Sequence, residues 1–288
     1  MRPDEDGVAA ADLCPPFATV ERHAVVDSTM VRAREIAADE GAVLPAAVIA
    51  DRQTGGRGRR GAGWWQSPGS LAVSIVLEAR GPAAAPPPTW SLACGVALVE
   101  TLRDLLPGIE PVVRWPNDVH VPVGAGDAVA GSGSTVEPVA TAKLAGILVE
   151  TTASGRAIFG IGVNTAGTAA AAPAALRRRV VTIPDLTGRP LPRQTLLAAF
   201  LPRLLGLLRS LDENPGILPA RYRPLCGLAG REVTVYVGDR THRGICRGIA
   251  ADGGLLLDTA AGPLHCLAGS LTAPGDVWAG PARTEEPS

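Results

Sequence analysis

Five glycines and three arginines fall within residues 55–63, so this segment is too flexible to form a core helix or a core strand by itself. Glycine lets backbone N–H groups approach a ligand closely, but ordering it has a high cost in conformational entropy that a bound partner could offset. Arginine adds planar, permanently charged donors that match carboxylate or phosphate oxygens. The segment therefore predicts an anion-binding loop, although a solvated loop in an arginine-rich protein would have the same composition.

Lys143 is the single lysine among 27 basic residues. It begins the apolar segment 143–150. An ammonium group is a compact point charge on a flexible stem, which a guanidinium fork cannot replace. A chain that otherwise uses arginine has thus kept one lysine, which indicates a specific chemical role; the alternative is a lysine left by chance at a strand end.

The overall composition is that of an ordinary soluble protein. With 288 residues and 46% hydrophobic content, the chain can form one large core, or a core with a small appended domain. A net charge of −1 argues against a general nucleic-acid binder. Five cysteines without a CxxC pair favour neither a disulfide framework nor a thiolate zinc site, and the N-terminus has no signal-like or membrane-spanning run. We therefore expect a cytoplasmic protein without membrane contact.

The first 226 residues alternate between strand and helix patterns. A helix is expected to start at residues 27–29 and to stop at Gly41, and a buried strand at 46–50 leads into the glycine- and arginine-rich loop. Apolar periodicity predicts further strands at 71–77, 111–115, 143–150 and 156–163, and helices at 92–106 and 195–211. Pro202 should kink the last helix or divide it. Residues 120–142 have linker composition and predict an exposed, mobile insertion.

From about residue 227 the pattern changes to short alternating strands. Val233, Val235 and Val237 alternate with polar residues, and Asp252-Gly253 is a hairpin signal between two apolar runs. A small all-β domain is expected here. The end of the chain, residues 280–288, is expected to be a disordered tail.

Familiar catalytic constellations are absent from the sequence. The four histidines are not paired at metal-ligand spacing, and there is neither a GxSxG elbow nor a Walker loop. The remaining candidates for a functional site are the anion loop, Lys143 and the segment 114–118. In this segment, Asn117 and Asp118 could either close a turn or face a polyphosphate and its magnesium ion. Positive groups together with a carboxamide and a carboxylate suit a reaction in which the protein stabilises negative charge and supplies no nucleophile.

Five motifs in one order resemble the successive motifs of biotin protein ligases, and they lie at 27–29, 53–61, 114–118, 143–150 and 160–164. The resemblance covers residues 27 to about 164, and the C-terminal β domain is similar to the SH3-like module of that family to about residue 275. It implies an α+β protein: a mixed β-sheet flanked by helices, as in class II aminoacyl-tRNA synthetases, with a small C-terminal SH3-like β-barrel. The implied domains are an N-terminal tail and first strand (1–26), a catalytic domain (27–226) and the SH3-like domain (227–279).

The implied reaction has two steps. Biotin and MgATP give biotinyl-5′-adenylate and pyrophosphate, and a lysine of a biotin carboxyl carrier domain then attacks the mixed anhydride. By position, Lys143 and Arg59 would be catalytic. Biotin would be bound by Ser28, Thr29, Met30, Gln53, Gly56, Arg57, Gly58, Arg59, Lys143 and Gly146. The nucleotide would be bound by Arg57, Arg59, Arg60, Trp64, Asn117, Asp118, Lys143 and Asn164, with Asp118 as a magnesium ligand.

Two positions depart from the family pattern. The family usually has asparagine where Met30 stands and arginine where Ala62 stands, so weaker ligand affinity and weaker adenylate retention are expected. Other readings stay open: a lipoate or octanoate ligase of the same fold, and a biotin-binding homologue without activity. Some relatives are repressors with an N-terminal helix-turn-helix, but 26 residues before the first motif are too few for that domain, so no DNA partner is expected.

Overall fold

A computed structural model describes residues 17–78, 88–123, 140–274 and Asp276. The larger sheet has seven strands, which are β1 (Thr19–Val26), β2 (Ala46–Gln53), β3 (Leu71–Glu78), β4 (Val112–Arg114), β5 (Asp118–Pro122), β6 (Thr141–Thr151) and β7 (Arg156–Val163). Their order is β1-β2-β3-β7-β6-β5-β4, with β1 and β2 parallel and the other pairs antiparallel. The predicted mixed sheet is confirmed.

Five helices accompany this sheet, namely α1 (Thr29–Ala38), α2 (Pro88–Leu105), α3 (Ile183–Thr187), α4 (Arg193–Glu213) and α5 (Ile217–Tyr222). Alternating side chains of the strands point to opposite faces. Ile49 and Ile75 join the large core that contains α2 and α4, whereas Val48 and Val76 join a smaller cluster with α1. The sheet is therefore covered by helices on both faces, as predicted.

One expectation about the catalytic half is wrong in its bounds, and another is narrowed. Residues 120–142 are not wholly an insertion, because β5 extends to Pro122 and β6 begins at Thr141; residues 124–139 lie outside the described part. Val121 and Ala142 are buried, so the apolar positions at both ends of the polar stretch belong to strands. Of the two predicted effects of Pro202, a break is excluded because α4 is one helix with Pro202 inside it, and the kink stays a prediction. The buried leucines of α4 keep the helix docked despite the missing N–H.

The C-terminal sheet contains β8 (Glu232–Val237), β9 (Arg240–Ile249), β10 (Leu255–Thr259), β11 (Gly262–Cys266) and β12 (Ser270–Thr272). The predicted hairpin at Asp252-Gly253 joins β9 to β10, and Gly253 has a φ of +80°. The order β11-β10-β9-β8-β12 is that of an antiparallel sheet that does not close, so the expected SH3-like barrel is not confirmed. The expected tails at 1–16 and 280–288 lie outside the described residues.

Within the described ranges, no helix combines the length and the apolar character needed to cross a bilayer.

Candidate active site

A cavity of about 490 Å³ lies between the large sheet, the anion loop and the C-terminal sheet. Nearly all the residues predicted for ligand binding line it, namely Ser28, Thr29, Met30, Gln53, Arg57, Gly58, Arg59, Arg60, Trp64, Asn117, Asp118, Lys143, Gly146 and Asn164. Gly56 is the exception. Its carbonyl accepts a 2.9 Å hydrogen bond from the Trp64 backbone N–H, so it supports the loop behind the cavity wall.

A buried polar group forms one end of the cavity, where α1 begins. Ser28 occupies the N-cap position without making a side-chain cap hydrogen bond, which leaves its hydroxyl available. Gln53 Oε1 accepts hydrogen bonds from the Thr29 backbone N–H (2.9 Å) and hydroxyl (3.2 Å), and Ser74 Oγ donates to Thr29 Oγ1 at 2.8 Å. Sequence analysis missed Ser74, although a serine among the apolar residues of β3 was a visible signal.

Gln66 is a second residue that sequence analysis missed. Its Oε1 accepts a 3.0 Å hydrogen bond from the Gln53 backbone N–H, and its amide nitrogen donates to the carbonyls of Asp51 and Ser70. The end of β2 is thereby fixed to the chain that follows the anion loop.

The anion loop closes on itself around a short 3₁₀ turn, Arg59–Gly61. The Gly58 N–H donates to the Ala62 carbonyl at 2.7 Å, and Arg60 has a φ of +56°, in the left-handed region. Non-glycine residues rarely adopt this conformation, which costs about 1–3 kcal/mol. The loop therefore has a specific backbone shape.

Arg59 connects the loop to two other parts of the cavity wall. Its guanidinium donates to Asn117 Oδ1 at 3.2 Å and to the Gly269 carbonyl at 3.1 Å. Burial lowers the pKa of Arg59, the nearby charge of Arg60 lowers it further, and Asp118 raises it. A guanidinium in such surroundings is a strong binder of an anion that enters the cavity.

Lys143 and Asp118 face each other across β5 and β6, with Nζ 2.7 Å from Oδ1. Nζ also lies 5.5 Å from the centre of the Trp64 ring, a cation–π distance. Asn117 donates through Nδ2 to the Ile147 carbonyl at 2.7 Å. These contacts hold the lysine, the carboxylate and the carboxamide at one position beside the anion loop.

Trp64 lies on a floor made of glycines. A Cβ atom added at Gly162 would lie 2.5 Å from the indole ring, and one added at Gly146 would lie 3.0 Å from it. At Gly160 the added atom would lie 2.5 Å from the sulfur of Met30. The repeated glycines of β6 and β7 thus make room for the tryptophan and the methionine that wall the apolar part of the cavity.

Apart from Asp118 Oδ1, whose contact is the ion pair with Lys143, two buried polar atoms of cavity-lining residues have no hydrogen-bond partner within the described part of the chain. They are the indole Nε1 of Trp64 and Oδ1 of Asn164. Asn164 is held from the other side, because its Nδ2 donates to the Val181 carbonyl at 3.1 Å. An unpaired buried acceptor is costly, and a ligand N–H would satisfy it.

Sequence analysis also missed the cavity residues His120, Thr141, Ser270, Leu271 and Asp276. No motif marks the last three, because contacts between segments far apart in the chain, such as the 162 residues between Arg114 and Asp276, leave no local pattern. The pKa of His120 is well below its usual value, first because of burial and then because of the charges of Arg114 and Lys143. Its imidazole is therefore neutral at neutral pH.

Comparison with known proteins agrees with this geometry. The Biotin/lipoate A/B protein ligase family matches residues 24–164, and the Biotin protein ligase C terminal domain matches residues 229–270. The chain is 31% identical to the biotin--[acetyl-CoA-carboxylase] ligase of Paracoccus denitrificans, over 82% of this chain and 92% of that protein. It is 35% identical to the bifunctional ligase/repressor BirA of Escherichia coli (strain K12), over 74% of this chain but 61% of that protein.

Among solved structures, the biotin protein ligase from Aquifex aeolicus in complex with biotin and ATP aligns with a TM-score of 0.70 and 26% identity. The alignment covers 89% of this chain and 100% of that one. The shared fold, the cavity built from the five motifs and the match to whole relatives lead to one conclusion: the chain belongs to the biotin protein ligase family.

Proposed function

We propose that this protein is an ATP-dependent ligase that forms biotinyl-5′-AMP from biotin and ATP and then transfers biotin to a lysine of a biotin carboxyl carrier domain. The observation that carries the proposal is the convergence of Lys143 and Arg59 beside the apolar wall formed by Trp64. The names of the relatives, and the biotin and ATP bound to the Aquifex aeolicus enzyme, support it.

Biotin fits the part of the cavity between α1 and the glycine floor. The hydroxyls of Ser28 and Thr29, with Gln53, would hydrogen-bond the ureido ring, and Met30 and Trp64 would pack against its apolar atoms. This orientation directs the carboxylate towards Arg57, Arg59 and Lys143. Gly146 leaves space for the Lys143 side chain at this point, because an added Cβ would lie 3.1 Å from its Nζ.

The nucleotide would occupy the other side of the cavity. Arg57, Arg59 and Arg60 would bind its phosphates, and the unpaired Oδ1 of Asn164 would accept a hydrogen bond from the base. In the first step, a carboxylate oxygen of biotin bonds to the α-phosphorus and pyrophosphate leaves. Two anions must approach each other, and fixed cations offset their repulsion without reorganising.

In the second step, the amine of the carrier lysine bonds to the acyl carbon and AMP leaves. The phosphate of AMP is the leaving group, so the cations that bind it also stabilise its departure. No nucleophile from this chain is required in either step.

Magnesium is compatible with the residues present. The described part of the chain contains no group of three or more acidic, histidine or cysteine residues able to hold a metal by themselves. Magnesium is usually held by one or two carboxylates together with substrate phosphates. Asp118, which lines the cavity, would supply the carboxylate, and the ion would neutralise phosphate charge.

The proposal is tested by mixing the purified protein with biotin, MgATP and a carrier domain, and following the mass of the carrier. We expect one biotin to be added, with pyrophosphate released only when biotin is present. A parallel reaction with lipoate or octanoate separates the related ligases. An unchanged carrier mass, or pyrophosphate release that depends on lipoate and not on biotin, would rule the proposal out.

A further inference from the structure

The C-terminal β domain contacts two segments that line the cavity, the anion loop and residues 114–118. The Gly269 carbonyl accepts a hydrogen bond from Arg59, and Ser270 Oγ accepts one from Arg60 at 3.3 Å. The Gly253 carbonyl accepts a 3.1 Å hydrogen bond from the indole N–H of Trp115, which is fully buried. The cavity wall is therefore shared between two distant parts of the chain.

Arg114 and Asp276 form an ion pair between the same two parts of the chain. One guanidinium nitrogen lies 2.7 Å from Oδ1 and the second contacts Oδ2, in a bidentate pair whose side chains are only 9% and 10% exposed. Oδ2 also accepts a 2.6 Å hydrogen bond from the Ala273 backbone N–H. A buried charge pair depends on further hydrogen bonds to its remaining groups, and the Ala273 N–H supplies one of them here.

Arg114 is the last residue of β4, and its Cα pairs with that of Asp118 at the start of β5. Between them lies the turn that carries Asn117. Arg114 also donates to Thr141 Oγ1 at 3.2 Å, at the start of β6. Whatever fixes Arg114 therefore fixes the turn, and with it the carboxylate that faces Lys143.

We infer that Asp276, which neither family match reaches, is a positioning residue: it holds Arg114 and, through Arg114, the turn with Asn117 and Asp118 in the geometry that adenylation requires. The inference rests on the proposed function. Without the carboxylate, Arg114 would be an unpaired buried cation beside the nucleotide phosphates, free to pull the turn towards them. Adenylation would suffer, whereas the biotin pocket around Ser28 and Gln53 has no contact with this pair.

The test uses the full-length Asp276→Asn variant, with Asp276→Glu as the conservative variant. Asp258→Asn is the matched control, because Asp258 pairs with Arg247 on the exposed face of the same sheet. For Asp276→Asn we expect kcat/KM for MgATP in adenylation to fall at least tenfold, while the dissociation constant of biotin and the transfer of supplied biotinyl-AMP to the carrier change less than twofold. Asp276→Glu should recover at least a third of the rate, and Asp258→Asn should match the wild type.

Hydrogen exchange of residues 113–118 in the ligand-free protein gives a readout independent of activity, and we expect it to accelerate in Asp276→Asn only. If wild-type protein makes no adenylate, the proposed function fails, and the exchange rates still test the positioning role. A folded Asp276→Asn variant with wild-type adenylation and exchange would overturn the inference. Equal losses of biotin affinity and adenylation would overturn it too, since they would indicate general destabilisation.

Discussion

The indole ring of Trp64 packs directly against Gly162, so closely that a methyl group at Gly162 would lie 2.5 Å from two ring carbons. The ring forms the apolar wall of the cavity and lies within cation–π distance of Lys143. The absence of a side chain at Gly162 therefore sets the width of the site.

Gly162→Ala should displace the Trp64 ring and slow adenylation at least tenfold, a barrier change of about 1.4 kcal/mol. Steady-state pyrophosphate release with biotin and MgATP measures this. Gly206→Ala is the control, because nothing lies within 4 Å of the added atom in α4, and alanine favours a helix by about 1 kcal/mol. Normal kinetics in Gly162→Ala would contradict this, because they would show that the Trp64 ring can shift without slowing adenylation.

Lys143→Arg should slow adenylation by at least tenfold, with little effect on folding. The planar guanidinium cannot occupy the point that Nζ holds beside Asp118 and under Trp64. Single-turnover formation of biotinyl-AMP gives the rate, and thermal unfolding checks the fold. Near-normal adenylation would return Lys143 to the role of an ordinary strand residue.

The anion loop should become protected when ligands bind. Three like charges repel one another until an anion arrives, and the glycines allow the loop backbone to open. Limited trypsin cleavage after Arg57, Arg59 or Arg60 should be fast without ligand and suppressed by biotin with MgATP. Equal cleavage rates with and without these ligands would contradict the proposed role of the three arginines in anion binding.

Ala62→Arg should lengthen the retention of biotinyl-AMP, because it adds a fourth cation to the loop that lines the phosphate side of the cavity. The rate at which labelled adenylate leaves the protein measures retention. An unchanged release rate would show that the loop closes equally well with alanine.

Stability should depend on pH through His120. Its pKa is depressed in the folded protein, first by burial, so the unfolded chain takes up the proton more readily. The free energy of unfolding should then be constant above the ordinary pKa of about 6.5 and fall below it by up to about 1.4 kcal/mol per pH unit. Urea titrations at several pH values should show a smaller fall in His120→Gln than in the wild type or in His242→Gln. Parallel curves for all three would assign the loss to other groups.

Much of the fold could be predicted because its signals are local. The alternation in residues 71–77 and 156–163 and the helical period in 92–106 correspond to β3, β7 and α2. The short strand β5 could not be distinguished from the polar stretch that follows it. The motifs of the site could be predicted from the sequence for the same reason. Ser270 and Asp276 could not, because they reach the cavity only through tertiary packing, which no local pattern encodes.

Arg59, Trp115 and Arg114 each donate a hydrogen bond to an acceptor beyond residue 250. A fragment ending at residue 226 would contain every residue predicted from the motifs, yet it would carry two guanidinium groups and one indole N–H stripped of those acceptors. The missing piece supplies them without adding a reacting group. Activity recovered by mixing such a fragment with the rest of the chain would therefore report that the C-terminal sheet has docked on the cavity again.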